Sequence, residues 1–151
     1  MKYFDSINNH KYIYLSELAE PKDNSLEFKV EEAIVSMSRE ALGVSENRIE
    51  GLNAIEVTKD SAIYRVQFPS YIAYSIRDES YAIPDDDEIF EGRLLCIYSR
   101  SHFLDYINKS TFACDDHPGP FKNYGFNCLN HIVDVVSSVE PIIELIRGRD
   151  I

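Results

Sequence analysis

Two cysteine–histidine pairs carry the most chemically suggestive spacing in the chain, Cys114-Asp-Asp-His117 and Cys128-Leu-Asn-His131. Thiolate and imidazole three residues apart are ligands of tetrahedral zinc sites. An extended Cys128–His131 segment, however, sends residues three apart to opposite faces, so the spacing predicts packing cysteines and no metal site. His131 and Asp134 come next, a polar pair in an apolar segment where a shifted pKa serves acid–base chemistry. They too fall on opposite faces of a strand. Asp134 shares its face with Ile132 and Val136 and reads as a buried carboxylate taking structural hydrogen bonds from a loop or an arginine. Ser101, His102 and Asp105 fall within one helical stretch without a nucleophile-elbow G-x-S-x-G, the pattern of a cap and a solvated face. No Walker loop, Rossmann glycine pattern or H-E-x-x-H occurs. These residues predict no enzyme, no metal and no cofactor.

Carboxylates supply the remaining chemistry. In DESYAIPDDDEIFEG, residues 78–92, Asp78, Glu79, Asp85, Asp86, Asp87, Glu88 and Glu91 accumulate with no Lys or Arg before Arg93. The run lacks the alternating ligands and central glycine of a calcium-binding EF-hand loop. Two readings stay open: a solvated charge run, and a recognition surface for a basic protein in which Tyr81 and Ile83 give a less polar centre. Asp115 and Asp116, beside His117, form a second acidic patch that would flank the first.

Charge balance agrees with the second reading. The 151 residues hold 15 basic and 26 acidic side chains, a formal charge of −11 and a pI near 4.7. Such a chain repels phosphate backbones and anionic membranes and attracts cations, so neither nucleic acid nor membrane is expected as a partner. No apolar run approaches the roughly 20 residues of a membrane span. The start, MKYFDSINNHKYIYL, lacks the apolar core of a signal peptide, and the three cysteines are an odd number with two in strand-like segments. Together they predict a cytoplasmic protein with reduced thiols.

The elements that would position these groups follow from periodicity. In Ser61–Phe68, Ala62, Tyr64, Val66 and Phe68 share a face, and Tyr71–Asp78 repeats the pattern with Ile72, Tyr74 and Ile76, so the two read as an antiparallel hairpin about Pro69-Ser70. Further strands are expected at 11–15, 26–35, 52–58, 93–98 and, as one long strand, 124–137. Residues 16–20 suit a helical turn, 30–42 fits a helix nearly as well as a strand, and 142–146 fits a last strand or a helical turn. Residues 43–53 and 114–123 are loops. Phe103, Tyr106 and Ile107 make the clearest helical stripe, capped by Ser99 or Ser101 and packed on the sheet. The sum is one α+β domain over residues 1–151, mainly antiparallel β-sheet, curled or forming a partial barrel, with one or two short helices packed on it.

The segments SYIAYSIRDESY (70–81), FEGRLLCIYSRSHFLDYI (90–107) and HPGPFKNYGFNCLNHIVDVVS (117–137) resemble those of small bacterial toxin-immunity proteins, including those of contact-dependent growth inhibition. The resemblance implies a role without a catalytic motif: stoichiometric inhibition of a cognate toxin's C-terminal domain, a basic nuclease whose nucleic-acid cleft the carboxylates would cover. The competing class is a small-molecule binding protein or hydrolase with a pocket lined by Tyr64, Tyr74, Tyr98, His131 and Asp134. An enclosed cavity on which His131 and Asp134 converge favours the second; a filled core and an acidic face favour the first. A third class is an assembly subunit whose C-terminal strand pairs with its own copy. The sequence fixes no oligomeric state.

Overall fold

The computed structural model describes residues 1–36 and 54–149. Helix α1 (Phe4–Asn9) leads into β1 (Tyr12–Ala19), followed by β2 (Leu26–Val35), β3 (Ile55–Glu56), β4 (Ile63–Phe68) and β5 (Ala73–Asp78). Strands β6 (Ile89–Gly92) and β7 (Leu95–Arg100), helix α2 (His102–Ser110), and strands β8 (Lys122–Asn127), β9 (His131–Ser137) and β10 (Ile142–Arg147) complete the order. All pairings between these strands are antiparallel. One sheet runs β1-β2-β4-β10 with β3 beside β2, and the second runs β5-β9-β8-β7-β6. The expected antiparallel α+β class is what the chain adopts, and neither sheet closes into a barrel.

Alternation explains which side of each sheet is buried. Leu26, Phe28 and Val30 of β2 and Tyr64, Val66 and Phe68 of β4 are at most 1% exposed, while Lys29, Arg65 and Gln67 between them face outward. Opposite them stand Leu95, Tyr124, Phe126, Val133 and Val135 of the second sheet, in the same buried cluster. Phe28 meets Phe126 edge to face at 5.0 Å, and Phe68 meets Tyr124 at 5.6 Å. These ring pairs across the gap are the preferred geometry for aromatic quadrupoles and join the sheets face to face.

Two pairing expectations fail for identifiable reasons. The hairpin about Pro69-Ser70 does not form: β4 lies in the first sheet and β5 in the second, beside β9. The Pro69-Ser70 corner carries the chain across, with the Tyr71 amide donating to Asn24 O and that of Ile72 to Val136 O. The long strand over 124–137 is instead the β8–β9 hairpin, folded at Cys128–Asn130, where the Cys128 amide donates to His131 O at 3.0 Å. That turn carries no glycine or proline because its polar groups are met from the first sheet. The Leu129 amide donates to Ile13 O, and the Asn130 side chain both accepts from the Leu15 amide and donates to its carbonyl, each at 3.0 Å. Asn130 thereby acts as one more ladder residue between the sheets.

The remaining expectations sort similarly. Residues 26–35 are strand and 142–147 are strand; the helical alternative continues into residues 37–42, outside the described residues, as does the loop at 43–53 and the start of the strand expected at 52–58. Helix α1 is unexpected, and the strand expected at 11–15 begins at Tyr12 and runs on to Ala19 in place of a helical turn. Ser101 caps α2, accepting from the Leu104 amide at 3.0 Å. Of the expected stripe, Ile107 is fully buried, Phe103 is half-buried, and Tyr106 stays 60% exposed, stacked on Phe103. Ile107 stands apart from the inter-sheet cluster because α2 packs on the outer face of the second sheet, where Asn123 Nδ2 donates to Ser101 Oγ at 2.9 Å.

Candidate functional site

The acidic connection between β5 and β6 is built outward from the second sheet. Asp78 ends β5 opposite His131 of β9 and caps a 3-10 turn, Glu79–Tyr81, by accepting from the Ser80 amide at 2.9 Å. That amide, with a smaller pull from His131, holds the Asp78 carboxyl below the usual carboxylate range. Farther on, Asp85 accepts from the Asp87 amide at 2.7 Å and pairs with His102 Nε2 at the start of α2. Both contacts lower the Asp85 pKa, the amide most, and the same pair raises that of His102. Glu88 accepts from the His102 amide at 3.4 Å. The run is thus pinned at Asp78, Asp85 and Glu88, while Glu79, Asp86, Asp87 and Glu91 face water.

Among the described residues Asp78, Glu79, Asp86, Asp87 and Glu91 make no ion pair. Large apolar side chains stand exposed along the same stretch: Tyr81 and Ile83 at 83% in the connection, then Ile89 and Phe90 of β6 at about half. Apolar groups exposed singly are ordinary; here four large ones stand exposed within ten residues, beside Asp86, Asp87 and Glu91, which make no ion pair among the described residues.

Strand β6 is the free edge of its sheet, held by a tight return to β7. Gly92 opens that return at φ +95, where any Cβ would strike the Leu95 carbonyl. Asn8 of α1 braces it: its Oδ1 accepts from the amides of Arg93 and Leu94 at 2.8 Å and of Leu95 at 3.2 Å, while the Arg93 guanidinium donates back to Asn8, His10 and Lys11 carbonyls. Helix α1 was missed in the sequence, and it is what fixes the edge that carries Phe90 and Glu91. Register then brings Phe90 opposite Tyr98, with ring centroids 5.0 Å apart. These two rings, with Glu91, Leu104, Phe121 and Lys122, line an open cleft of about 560 Å³.

No family model, curated protein or solved structure matches the chain.

Asp115 and Asp116 occupy a separate exposed turn closed by Cys114 and His117, whose amides exchange bonds at 2.8 and 3.1 Å. No hydrogen bond or ion pair joins this turn to the acidic connection, although the chain leaving it supplies Phe121 and Lys122 to the cleft. Cys128 does not face His117: it is buried in the core, and burial pushes its thiol up to about 12. Cys96 is also buried, its thiol pushed up to about 11, and only Cys114 is exposed. Among the described residues no three His, Cys, Asp or Glu side chains gather as metal ligands.

The five residues proposed to line a pocket do not share one. Tyr64 and Tyr74 belong to the inter-sheet core, whereas Tyr98 and Asp134 lie on the outer face of the second sheet. Asp134, 5% exposed, takes a bond from Arg77 Nη2 at 3.1 Å; burial raises its pKa and Arg77 opposes the rise. His131, on the other face of β9, lines neither this cleft nor a second one of about 520 Å³. That second cleft opens over a constellation the sequence hides. His10 is 3% exposed, with Nε2 at 2.8 Å from Tyr64 Oη and Nδ1 at 3.1 Å from Glu32 Oε1, and Glu32 in turn accepts from the Ala62 amide. Tyr64 is fully buried, so the chain of groups ends in the core and ties the α1–β1 junction to β2 and β4. Residues 10, 32 and 64 share no spacing that a sequence pattern could register.

Proposed function

We propose that this chain is an immunity-type protein that acts in the cytoplasm by binding a cationic toxin domain, a nuclease being the target its charge favours, and blocking it stoichiometrically. The observation that carries the reading is the β5–β6 connection with the start of β6, where Glu79, Asp86, Asp87 and Glu91, which make no ion pair among the described residues, stand among exposed Tyr81, Ile83, Ile89 and Phe90. Carboxylates take the place of phosphates opposite toxin lysines and arginines, steering the encounter, and the apolar side chains supply the desolvated centre that makes it last. The filled core between the sheets and the separation of His131 from Asp134 favour this over a small-molecule pocket.

The test is to express the chain with the C-terminal domain encoded by the neighbouring open reading frame and follow growth, stoichiometry and association rate. The wild type forms a one-to-one complex and restores growth. Asp86→Lys, Asp87→Lys and Glu91→Lys together slow association by ~10-fold or more at low salt, with little effect on dissociation. Full protection and an unchanged association rate in that triple variant would remove the acidic connection from the mechanism.

A further inference from the structure

We infer that the cleft beside β6 is the seat for an arginine side chain of the basic partner, an inference that rests on the reading above and sharpens it. Phe90 and Tyr98 face each other across the β6–β7 register with centroids 5.0 Å apart and planes inclined by 45°, and both line the cleft. Tyr98 lies across Gly125, where a Cβ would come within 2.7 Å of its ring, so the sheet beneath is cut away to let the ring lie down. Phe90 is half exposed and Tyr98 half-buried, and both rings are reached from the cleft. A flat cation stacks on such faces, and guanidinium does so better than ammonium because it is planar and weakly hydrated.

The carboxylate in the lining favours the same group. Strand alternation sends Glu91 away from Phe90, but from the free edge of its sheet it still lines the cleft, exposed and without an ion pair among the described residues. Asp86, Asp87 and Glu88 precede Ile89 in the chain, Arg100 stands opposite Ile89 in the register, and Ser99 adds a hydroxyl to the wall. One cation, Lys122, also lines it and is exposed. A cleft with aromatic walls and one carboxylate, Glu91, that makes no ion pair among the described residues fits a planar cation whose edge hydrogen-bonds while its face stacks. Lys122 competes with that cation, so its removal must improve binding.

The experiment titrates the protein with arginine methyl ester, lysine methyl ester and citrulline methyl ester while amide shifts are followed by NMR. Arginine ester gives saturable shifts at Phe90, Tyr98 and Ser99 in the millimolar range, lysine ester weaker ones, and neutral citrulline none. Phe90→Ala weakens the arginine site about fivefold, and Lys122→Ala strengthens it. Shifts scattered over all carboxylates and indifferent to Phe90→Ala, or equal shifts with citrulline, would overturn the assignment. If Phe90→Ala still protects against the toxin as wild type does while the triple reversal fails to, the anchor is wrong and the immunity reading stands. If arginine seats in the cleft but no cationic partner binds, the anchor stands and the immunity reading falls.

Discussion

Arg77→Ala tests how the outer face of the second sheet tolerates a buried carboxylate. Asp134 is 5% exposed, its Oδ2 lies 3.1 Å from Arg77 Nη2, and the Arg77 side chain is 52% exposed. Removing one member of a fully buried pair costs about 3–5 kcal/mol. Water already reaches half of Arg77, so a loss of about 1–3 kcal/mol is expected here. The pH dependence gives the sharper result. Burial raises the Asp134 pKa above its unfolded value, and attraction to Arg77 and the bond from it pull it partly back. A carboxyl with a raised folded pKa weighs against folding above that pKa, where it is charged, and the penalty fades as pH falls through it. Without Arg77 the folded pKa rises further, so the variant's deficit should be largest near neutral pH and shrink at mildly acidic pH, as the pH falls through the raised pKa. Asp134→Asn keeps an acceptor for Arg77 without the charge and should cost under about 1 kcal/mol. Urea unfolding of both single variants and the double, at both pH values, measures each quantity. A deficit for Arg77→Ala that does not change with pH, or a greater loss for Asp134→Asn, would refute this reasoning.

Ser101→Ala removes both the α2 cap and the acceptor for buried Asn123 Nδ2, and should cost about 1–2 kcal/mol, read as a lower melting temperature. His102 should titrate above its ordinary value because of Asp85, with the pair intact below the raised pKa and lost as pH rises through it. Asp85→Asn should return His102 to the ordinary range in a proton NMR titration. Of the three thiols only Cys114 should react quickly with an aromatic disulfide reagent at mildly alkaline pH, Cys96 and Cys128 being buried with raised pKa values. Rapid reaction of two or three thiols in the folded protein would contradict the packing around β7 and the β8–β9 turn.

Strands whose two faces meet different surroundings were legible. Alternation at 26–30 and 62–68 named the inward residues because Leu26, Phe28, Val30, Tyr64, Val66 and Phe68 meet a core while Lys29, Arg65 and Gln67 meet water. Alternation states which side is buried and is silent about which strand lies alongside. For that reason the pattern alone pairs Ser61–Phe68 with Tyr71–Asp78, although the two belong to different sheets. The β8–β9 turn was invisible for another reason: turn residues are recognised by what a solvated turn needs, and Cys128–Asn130 is satisfied by Ile13 and Leu15 more than a hundred residues away. Helix α1 has only six residues and no side-chain cap, leaving neither signal of a helix start.

The site divides along the same line. Its carboxylates and Tyr81 were readable because they sit on one continuous connection, whereas the Phe90–Tyr98 ledge depends on register and its brace depends on Asn8, some 85 residues away. This division bears on why the charge is there. Asp86, Asp87 and Glu91 touch no cation among the described residues, and the edge they flank is held by amide, carbonyl and guanidinium bonds from α1 that need none of them. At a net charge of −11 each further carboxylate adds self-repulsion to the folded state. A face kept only for solvation would disperse that repulsion by mixing signs. Here the like charges are concentrated beside exposed aromatics, next to an edge whose hydrogen bonds do not use them, which favours the proposal that the compensating charges arrive on another molecule.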